Sequence, residues 1–201
     1  MLDGWARARF DPLLDRLGGR LAGAGISANA ITIAACAVGL LAAAAISRQL
    51  YLPGLALILL SRLGDGLDGA VARANGATDL GGYLDIVLDF AFYGAVPLGF
   101  VISDPPANAL AGSVLIFSFY VNGASFLAYA IIAEKRKMKT AARGEKSLFF
   151  TTGLAEATET IAVFVAFCLF PLWFPQIAYA FAALCLYTAL SRLVLAQRSF
   201  R

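Results

Sequence analysis

The sequence predicts an all-α membrane protein, a six-transmembrane-helix bundle with an N-terminal amphipathic interfacial helix. Three observations support this fold class. Of the 201 residues, 60% are hydrophobic and only 14% are charged, and the mean hydropathy is +0.77, whereas soluble domains are nearer half apolar and a quarter charged. The apolar residues fall into blocks of about 20, the length that a helix needs to cross a bilayer. Basic residues gather at one end of these blocks.

Residues 1–25 are predicted to form the amphipathic membrane-surface helix. Arginines there are interspersed with apolar side chains, and Leu14, Leu17 and Leu21 recur at helical spacing, a pattern typical of a helix lying in the membrane surface. An unstructured cytoplasmic tail is the alternative. Residues 26–201 are expected to form one six-span domain, because no hydrophilic stretch is long enough for a second one.

Six segments qualify as membrane spans by length and apolar character. They are approximately 29–47, 51–73, 79–102, 108–133, 150–171 and 176–195. Turn and capping residues separate them: Gly76 follows an asparagine, Thr78 is placed to cap the third span, and a pair of prolines follows Asp104.

The distribution of basic residues predicts the orientation of the bundle. With an even number of spans, both termini lie on the same side, together with Arg73 and the basic loop from Lys135 to Lys146, while the opposite side holds only Arg48. Positive residues are concentrated on the cytoplasmic side of membrane proteins. We therefore expect an inner (cytoplasmic) membrane protein with cytoplasmic termini.

The residue types that are absent or scattered exclude several kinds of site. There is no histidine, so imidazole catalysis and histidine-ligated metals are excluded and a general base must be a carboxylate or a rarer group. The cysteines, Cys36, Cys168 and Cys185, stand singly in apolar blocks, which favours buried small hydrophobic residues over metal ligands or disulfides. No nucleic-acid partner is expected.

Carboxylates inside the second and third spans are the strongest functional signal. Asp65, Asp68, Asp85 and Asp89 lie in otherwise apolar sequence, and an intramembrane charge costs about 3 kcal/mol on insertion scales. Pairing with arginines is the structural alternative, but Arg62 and Arg73 are too few to neutralise four acids. These aspartates are therefore candidates for function.

Helix geometry predicts that the four carboxylates converge. Each pair shares one helix face, because its members are three or four residues apart. At 1.5 Å per residue, Asp68 and Asp85 lie about 7 and 9 Å inside the cytoplasmic ends of their helices, and Asp65 and Asp89 about 12 and 15 Å inside. Such a cluster needs compensating cations, and oxygen ligands suit Mg²⁺, then Mn²⁺ or Ca²⁺. The glycines around the acids favour either close helix packing or the approach of a bulky ligand.

The stretch from Asp65 to Asp89 reads DGLDGAVARANGATDLGGYLDIVLD and resembles the CDP-alcohol phosphatidyltransferase signature, D-x2-D-G-x2-A-R-x8-G-x3-D-x3-D. We assign its fixed residues to Asp65, Asp68, Gly69, Ala72, Arg73, Gly82, Asp85 and Asp89. The segment from Ile26 to Thr32 is similar to the family's entry to the first span, with Ala28 where a proline is usual.

The resemblance implies an activity and a role for each residue. The donor is CDP-diacylglycerol or another CDP-alcohol, an acceptor hydroxyl attacks its β-phosphorus, and CMP leaves. Two divalent ions, Mg²⁺ or Mn²⁺, are expected, with Asp65, Asp68 and Asp85 as ligands. Asp89 is expected to act as general base and to touch the second metal. The CDP moiety is expected to contact Gly69, Ala72, Arg73 and Gly82. A homodimer and contacts with membrane lipids are also implied.

The acceptor and the direction of transfer stay open. The basic loop from Lys135 to Lys146 either holds a phosphate-bearing acceptor or only contacts anionic lipids. Glu156 and Glu159 either bind a polyol or cationic acceptor or face water. Transfer of a phospho-headgroup from a CDP-linked alcohol to diacylglycerol, a cation transporter and an inactive family member are the alternatives. The clustering near one surface argues against a transporter, whose sites are usually at the midplane.

Overall fold

The computed structural model describes residues 2–136 and 157–200, and these residues form helices without any strand. The predicted all-α class is confirmed. The seven α-helices and one short 3₁₀ helix of the described part are α1 (Leu2–Gly23), α2 (Ala28–Ser47), α3 (Tyr51–Asn75), α4 (Asp79–Ser103), α5 (Pro105–Lys135), α6 (Ala157–Leu169), the 3₁₀ helix Pro171–Trp173 and α7 (Phe174–Ser199).

Four of the described helical segments are long and apolar enough to cross a membrane, namely Ala28–Ser47, Asp79–Ser103, Pro105–Lys135 and Pro171–Ser199. Helix α3 has sufficient length but carries the charged residues of the candidate site, and α6 is a shorter apolar helix. The count of six spans therefore stays a prediction. Residues 150–156, the expected start of the fifth span, lie outside the described residues.

The helix boundaries follow local capping chemistry. Ser27 accepts a hydrogen bond from the backbone N–H of Ala30, and Asp104 accepts one from that of Ala107. These side chains satisfy backbone donors that have no partner within the helix. The structure extends the fourth predicted span to Pro105, because the proline pair occupies the first turn of α5, where a missing N–H costs nothing.

Phenylalanine rings form the centre of the bundle. Phe92 and Phe100 of α4 are fully buried, as are Phe164 and Phe167 of α6 and Phe174 of α7. Phe100 and Phe174 stack with ring centroids 4.8 Å apart. Outside this core, leucines such as Leu52, Leu110 and Leu172 are exposed at 67%, 70% and 89%, as expected for side chains that face lipid. Aromatic packing thus joins α4 to α6 and α7.

Helix α1 packs along the C-terminal half of α3. Gly18 approaches the backbone of Ala70 so closely that a Cβ at Gly18 would lie 2.9 Å from the carbonyl carbon of Ala70. One turn earlier, Leu14 lies over Gly66. Helix α1 is therefore anchored to the bundle near the candidate site, while its predicted location in the membrane interface stays a prediction.

Candidate functional site

The candidate site lies where the C-terminal half of α3 and the N-terminal half of α4 face each other across α2. The loop of residues 76–78 connects the two helices. Gly76 adopts a positive φ of 95°, which a glycine tolerates without strain. Thr78 then caps α4 by accepting a hydrogen bond from Gly81 N–H at 3.0 Å, as the sequence predicts. This tight reversal brings the acidic faces of both helices to a similar depth.

Three of the four aspartates form a compact oxygen cluster. One carboxylate oxygen each from Asp65, Asp68 and Asp85 lies within 4.8 Å of the others. Asp68 is buried, and its Oδ2 has no hydrogen-bond partner among the described residues. A buried carboxylate oxygen without a donor is costly unless a cation takes that place. The donor set and this orphaned oxygen therefore fit a hard divalent ion.

Asp89 lies beside this cluster but has a different neighbour. Its Oδ1 accepts a hydrogen bond from Arg62 Nη1 at 2.7 Å, and the same nitrogen is 3.3 Å from Asp65 Oδ1. Asp65 and Asp89 are thus paired with an arginine, while their functional roles stay a prediction. No arginine forms an ion pair with Asp68 or Asp85 in the part of the chain that the structure describes.

Helix α2 forms the floor of the site, a contribution that the sequence did not reveal. Thr32, Ala35 and Cys36 line a narrow cavity together with residues of α3 and α4, including Arg62 and Leu88. Helix α2 packs against both α3 and α4, whereas those two make few contacts with each other. The acids therefore face a cleft rather than a closed helix pair. The only available signal was the motif-like segment 26–32, which enters α2.

At the mouth of the site, Arg73 forms an ion pair with α1. Its Nη2 and Nε donate to Asp15 Oδ1 at 2.6 and 3.1 Å. Both side chains are more than half exposed, so this pair is solvated and weak. Sequence reasoning missed Asp15, because the two residues are far apart in the chain.

Of the glycines around the acids, some serve close helix packing and others leave space for a ligand. Gly64 packs against Ala35, where a Cβ would lie only 2.8 Å from the alanine Cβ, so it serves helix packing. A Cβ at Gly69 would meet only the end of the Arg73 side chain, at 3.5 Å, and one at Gly82 would meet nothing within 4 Å. These two positions leave room for a ligand.

The assignment of Gly82 stays a prediction, and Gly81 is a second candidate. This chain has eleven residues between Arg73 and Asp85, one fewer than the signature, so counting back from Asp85 selects Gly81. A Cβ there would lie 3.0 Å from Thr78 Oγ1 and 3.1 Å from Asn29 Oδ1. Gly81 therefore allows Thr78 and Asn29 to approach the start of α4 closely.

The other predicted residues are less closely tied to the site. Ala72 is half-buried on α3. Glu159 lies in the first turn of α6 and does not line the cavity. Glu156 and residues 137–146 of the basic loop lie outside the described residues.

Comparison with known proteins identifies the family. The sequence profile of the CDP-alcohol phosphatidyltransferases matches residues 25–194. The chain belongs to this family. It is also 46% identical over 192 residues to the inner membrane protein YnjF of Escherichia coli strain K12, covering 96% of this chain and 93% of that protein. Membership identifies it as a phospholipid-synthesising membrane transferase.

A solved structure has the same fold. The phosphatidylinositol phosphate synthase PgsA1 of Mycobacterium tuberculosis, crystallised with CDP-DAG bound, superposes with a TM-score of 0.71 at 20% identity, covering 90% of this chain and 92% of that one. The two proteins therefore share a fold over most of their length.

Proposed function

We propose that this protein transfers a phosphatidyl group from CDP-diacylglycerol to an alcohol acceptor and releases CMP. The carrying observation is the cluster of Asp65, Asp68 and Asp85, with Asp89 beside it, in a cavity bounded by α2, α3 and α4. The CDP-DAG bound to the mycobacterial synthase of the same fold supports this donor.

The three clustered aspartates hold the metal. One oxygen each of Asp65, Asp68 and Asp85 would ligate the ion, since these oxygens lie within 4.8 Å of one another, and the ion would also offset the cost of the buried, unpartnered Asp68 Oδ2. A divalent ion bound there, Mg²⁺ or Mn²⁺, supplies positive charge for the donor diphosphate and the departing CMP.

Asp89 is the general base of this proposal. The acceptor oxygen forms a bond to the β-phosphorus while the bond from that phosphorus to the CMP oxygen breaks, and the hydroxyl proton passes to the carboxylate. Arg62 occupies Oδ1 of Asp89, so Oδ2 is the oxygen available for the proton. The Arg62 hydrogen bond fixes the Asp89 carboxylate, which lines the cavity.

Arg73 and the small residues near it bind the donor. The planar guanidinium of Arg73 suits the oxygens of a diphosphate. The open space at Gly69 and Gly82 admits the nucleotide, and Ala72 lies on the same helix between Gly69 and Arg73.

The membrane setting is a further part of the proposal. We infer a multi-pass protein of the inner membrane, with a six-span domain at residues 26–201, a surface helix at residues 1–25 and the active site open to the cytoplasm. The inner-membrane relative supports the location. By resemblance, the functional unit is a homodimer.

The activity test uses purified protein in lipid nanodiscs with Mg²⁺. CDP-diacylglycerol is supplied with a panel of acceptors, comprising glycerol phosphate, inositol phosphate, free polyols, amino alcohols and phosphatidylglycerol, and the products are identified by mass spectrometry. A second arm supplies a CDP-linked headgroup with diacylglycerol. We expect a new phospholipid and CMP in the first arm only.

A matched control shows whether a loss of activity is specific to the clustered aspartates or follows from removal of any acidic residue. Asp79→Asn removes an exposed carboxylate in the first turn of α4, outside the cluster, and should keep the activity. Product in the second arm alone would reverse the proposed direction of transfer.

The orientation has its own test. In sealed, right-side-out vesicles, an impermeant thiol reagent should label Ala107→Cys and not Ala77→Cys. The native cysteines are buried and provide a low background. The opposite labelling pattern would place the site outside the cytoplasm.

A further inference from the structure

Arg62 is a charged residue to which the proposed chemistry gives only one contact, the hydrogen bond to Asp89. Its side chain is 9% exposed and is fixed on several sides. Besides Asp89 and Asp65, it contacts the Phe92 ring, with Cζ 3.9 Å from the ring centroid, and Ser61, whose Oγ lies 3.2 Å from Nη2. Such stacking of a guanidinium on an aromatic face is attractive. Arg62 is therefore a preorganised part of the site.

The support behind Arg62 makes this position rigid. Ser61 is fully buried and donates its hydroxyl to the carbonyl of Ala35 at 2.8 Å. Phe92 is fully buried in the aromatic core. The guanidinium thus packs against Phe92 of the core and is linked to α2 through Ser61. Its charge lies next to the carboxylates of Asp65 and Asp89.

The four aspartates form two overlapping groups, the oxygen cluster and the acids next to Arg62. Asp65, Asp68 and Asp85 form the oxygen cluster, and Asp89 is bound to the guanidinium. Asp65 belongs to both groups, because it also faces Arg62 at 3.3 Å. The resemblance implies a second divalent ion that touches Asp89. In this chain, a permanent cation already contacts that carboxylate.

We propose that Arg62 takes the place of the second divalent ion, so that the site binds one metal ion per chain and Arg62 positions Asp89. This inference rests on the proposed metal site. Arg62 Nη1 donates a hydrogen bond to Asp89 Oδ1 at 2.7 Å, whereas its 3.3 Å approach to Asp65 Oδ1 is an ion pair only. The guanidinium therefore already compensates the charge of Asp89, and a second divalent ion on Asp89 Oδ1 would have to compete with this donor for the same oxygen. Displacing Arg62 would break its contacts with Asp65, Asp89 and Phe92 together.

The test counts bound ions directly. Mn²⁺ is titrated into the detergent-purified full chain, free Mn²⁺ is measured by electron paramagnetic resonance, and calorimetry gives an independent stoichiometry. We expect one Mn²⁺ per wild-type chain. Arg62→Met should bind a second Mn²⁺, and the dipolar broadening of a nearby Mn²⁺ pair should appear in its spectrum. Arg62→Lys, which keeps the charge, should return to one ion.

The control variant removes a different partly buried arginine. Arg192 donates to Asn122 and Ser125 between α7 and α5 and has no contact with the aspartates in the described structure. Arg192→Met should therefore keep one Mn²⁺.

A second variant tests the same proposal if Arg62→Met does not fold. Mn²⁺ is then titrated into Asp89→Asn, with Arg62 unchanged. Its affinity for the single ion should stay within 3-fold of wild type, because Asp89 is not a ligand of that ion.

The outcomes separate this inference from the proposed function. Two ions per wild-type chain would overturn the role of Arg62 and leave the transferase proposal intact. One ion in a folded Arg62→Met variant, or loss of ion affinity in Asp89→Asn, would also overturn it. No bound ion in the wild type would contradict the proposed metal site itself.

Discussion

The two arginines of the site differ in how they are held. Arg62, at the deep end, is 9% exposed and contacts two carboxylates and an aromatic ring. Arg73, at the mouth, is 56% exposed and is paired with the equally solvated Asp15 of α1. Burial makes the first interaction strong and permanent, whereas solvent and salt weaken the second. The difference suggests a division between a structural charge inside the site and an exchangeable charge for the incoming diphosphate.

The aspartates also differ in their burial and partners. Their substitutions are expected to change activity and binding more than any others. Asp89→Asn should lower turnover by about 10²- to 10⁴-fold, the usual contribution of a general base, while CDP binding is largely retained. Asp68→Asn should weaken both metal and donor binding, because it removes the buried ligand with the orphaned oxygen. Calorimetry with Mn²⁺ and CDP, together with measurement of CMP release, distinguishes the two variants. Near-normal turnover by Asp89→Asn would show that another group takes the proton.

Arg73→Ala is expected to have an intermediate effect. Loss of a charge-assisted contact to phosphate, worth about 1.5–3 kcal/mol, should raise the donor KM by roughly 10- to 100-fold and change the acceptor KM much less. Steady-state kinetics with each substrate varied in turn measures this difference. An equal rise in both KM values would indicate a general distortion of the site instead of a donor contact.

Asp15→Asn should produce the smallest change, with the opposite sign. If Arg73 binds the donor as proposed, Asp15 competes with the donor phosphate for the Arg73 guanidinium, and a solvated ion pair is worth about 0.2–1 kcal/mol. The donor KM should therefore fall by a factor of about five at most. Asp11→Asn, on the same helix one turn away and without an ion pair in the described structure, is the control. A raised donor KM in Asp15→Asn would mean that Asp15 orients Arg73 for the donor.

Local features of this site were predictable from the sequence. The cap at Thr78, the turn at Gly76 and the convergence of Asp65, Asp68 and Asp85 all follow from residue spacing and turn chemistry within 25 residues. Periodicity and capping act locally, so a single sequence reveals them.

Features that depend on tertiary packing were not predictable in the same way. The floor provided by Thr32 and Cys36, the stacking of Arg62 on Phe92 and the pairing of Asp15 with Arg73 each join different helices. Nothing in the spacing of Arg62 indicated which of the four acids it would contact. The partners became apparent only when α2 packed between α3 and α4.

The dependence of CMP release on divalent metal tests the central claim most directly. Purified protein with CDP-diacylglycerol and the acceptor found in the panel should release no CMP in excess chelator. Release should return when Mg²⁺ or Mn²⁺ is added back, because clustered carboxylates need a cation to hold a diphosphate. The Asp79→Asn control should show the same loss and recovery. Undiminished CMP release in metal-free buffer would contradict the metal-dependent transferase site.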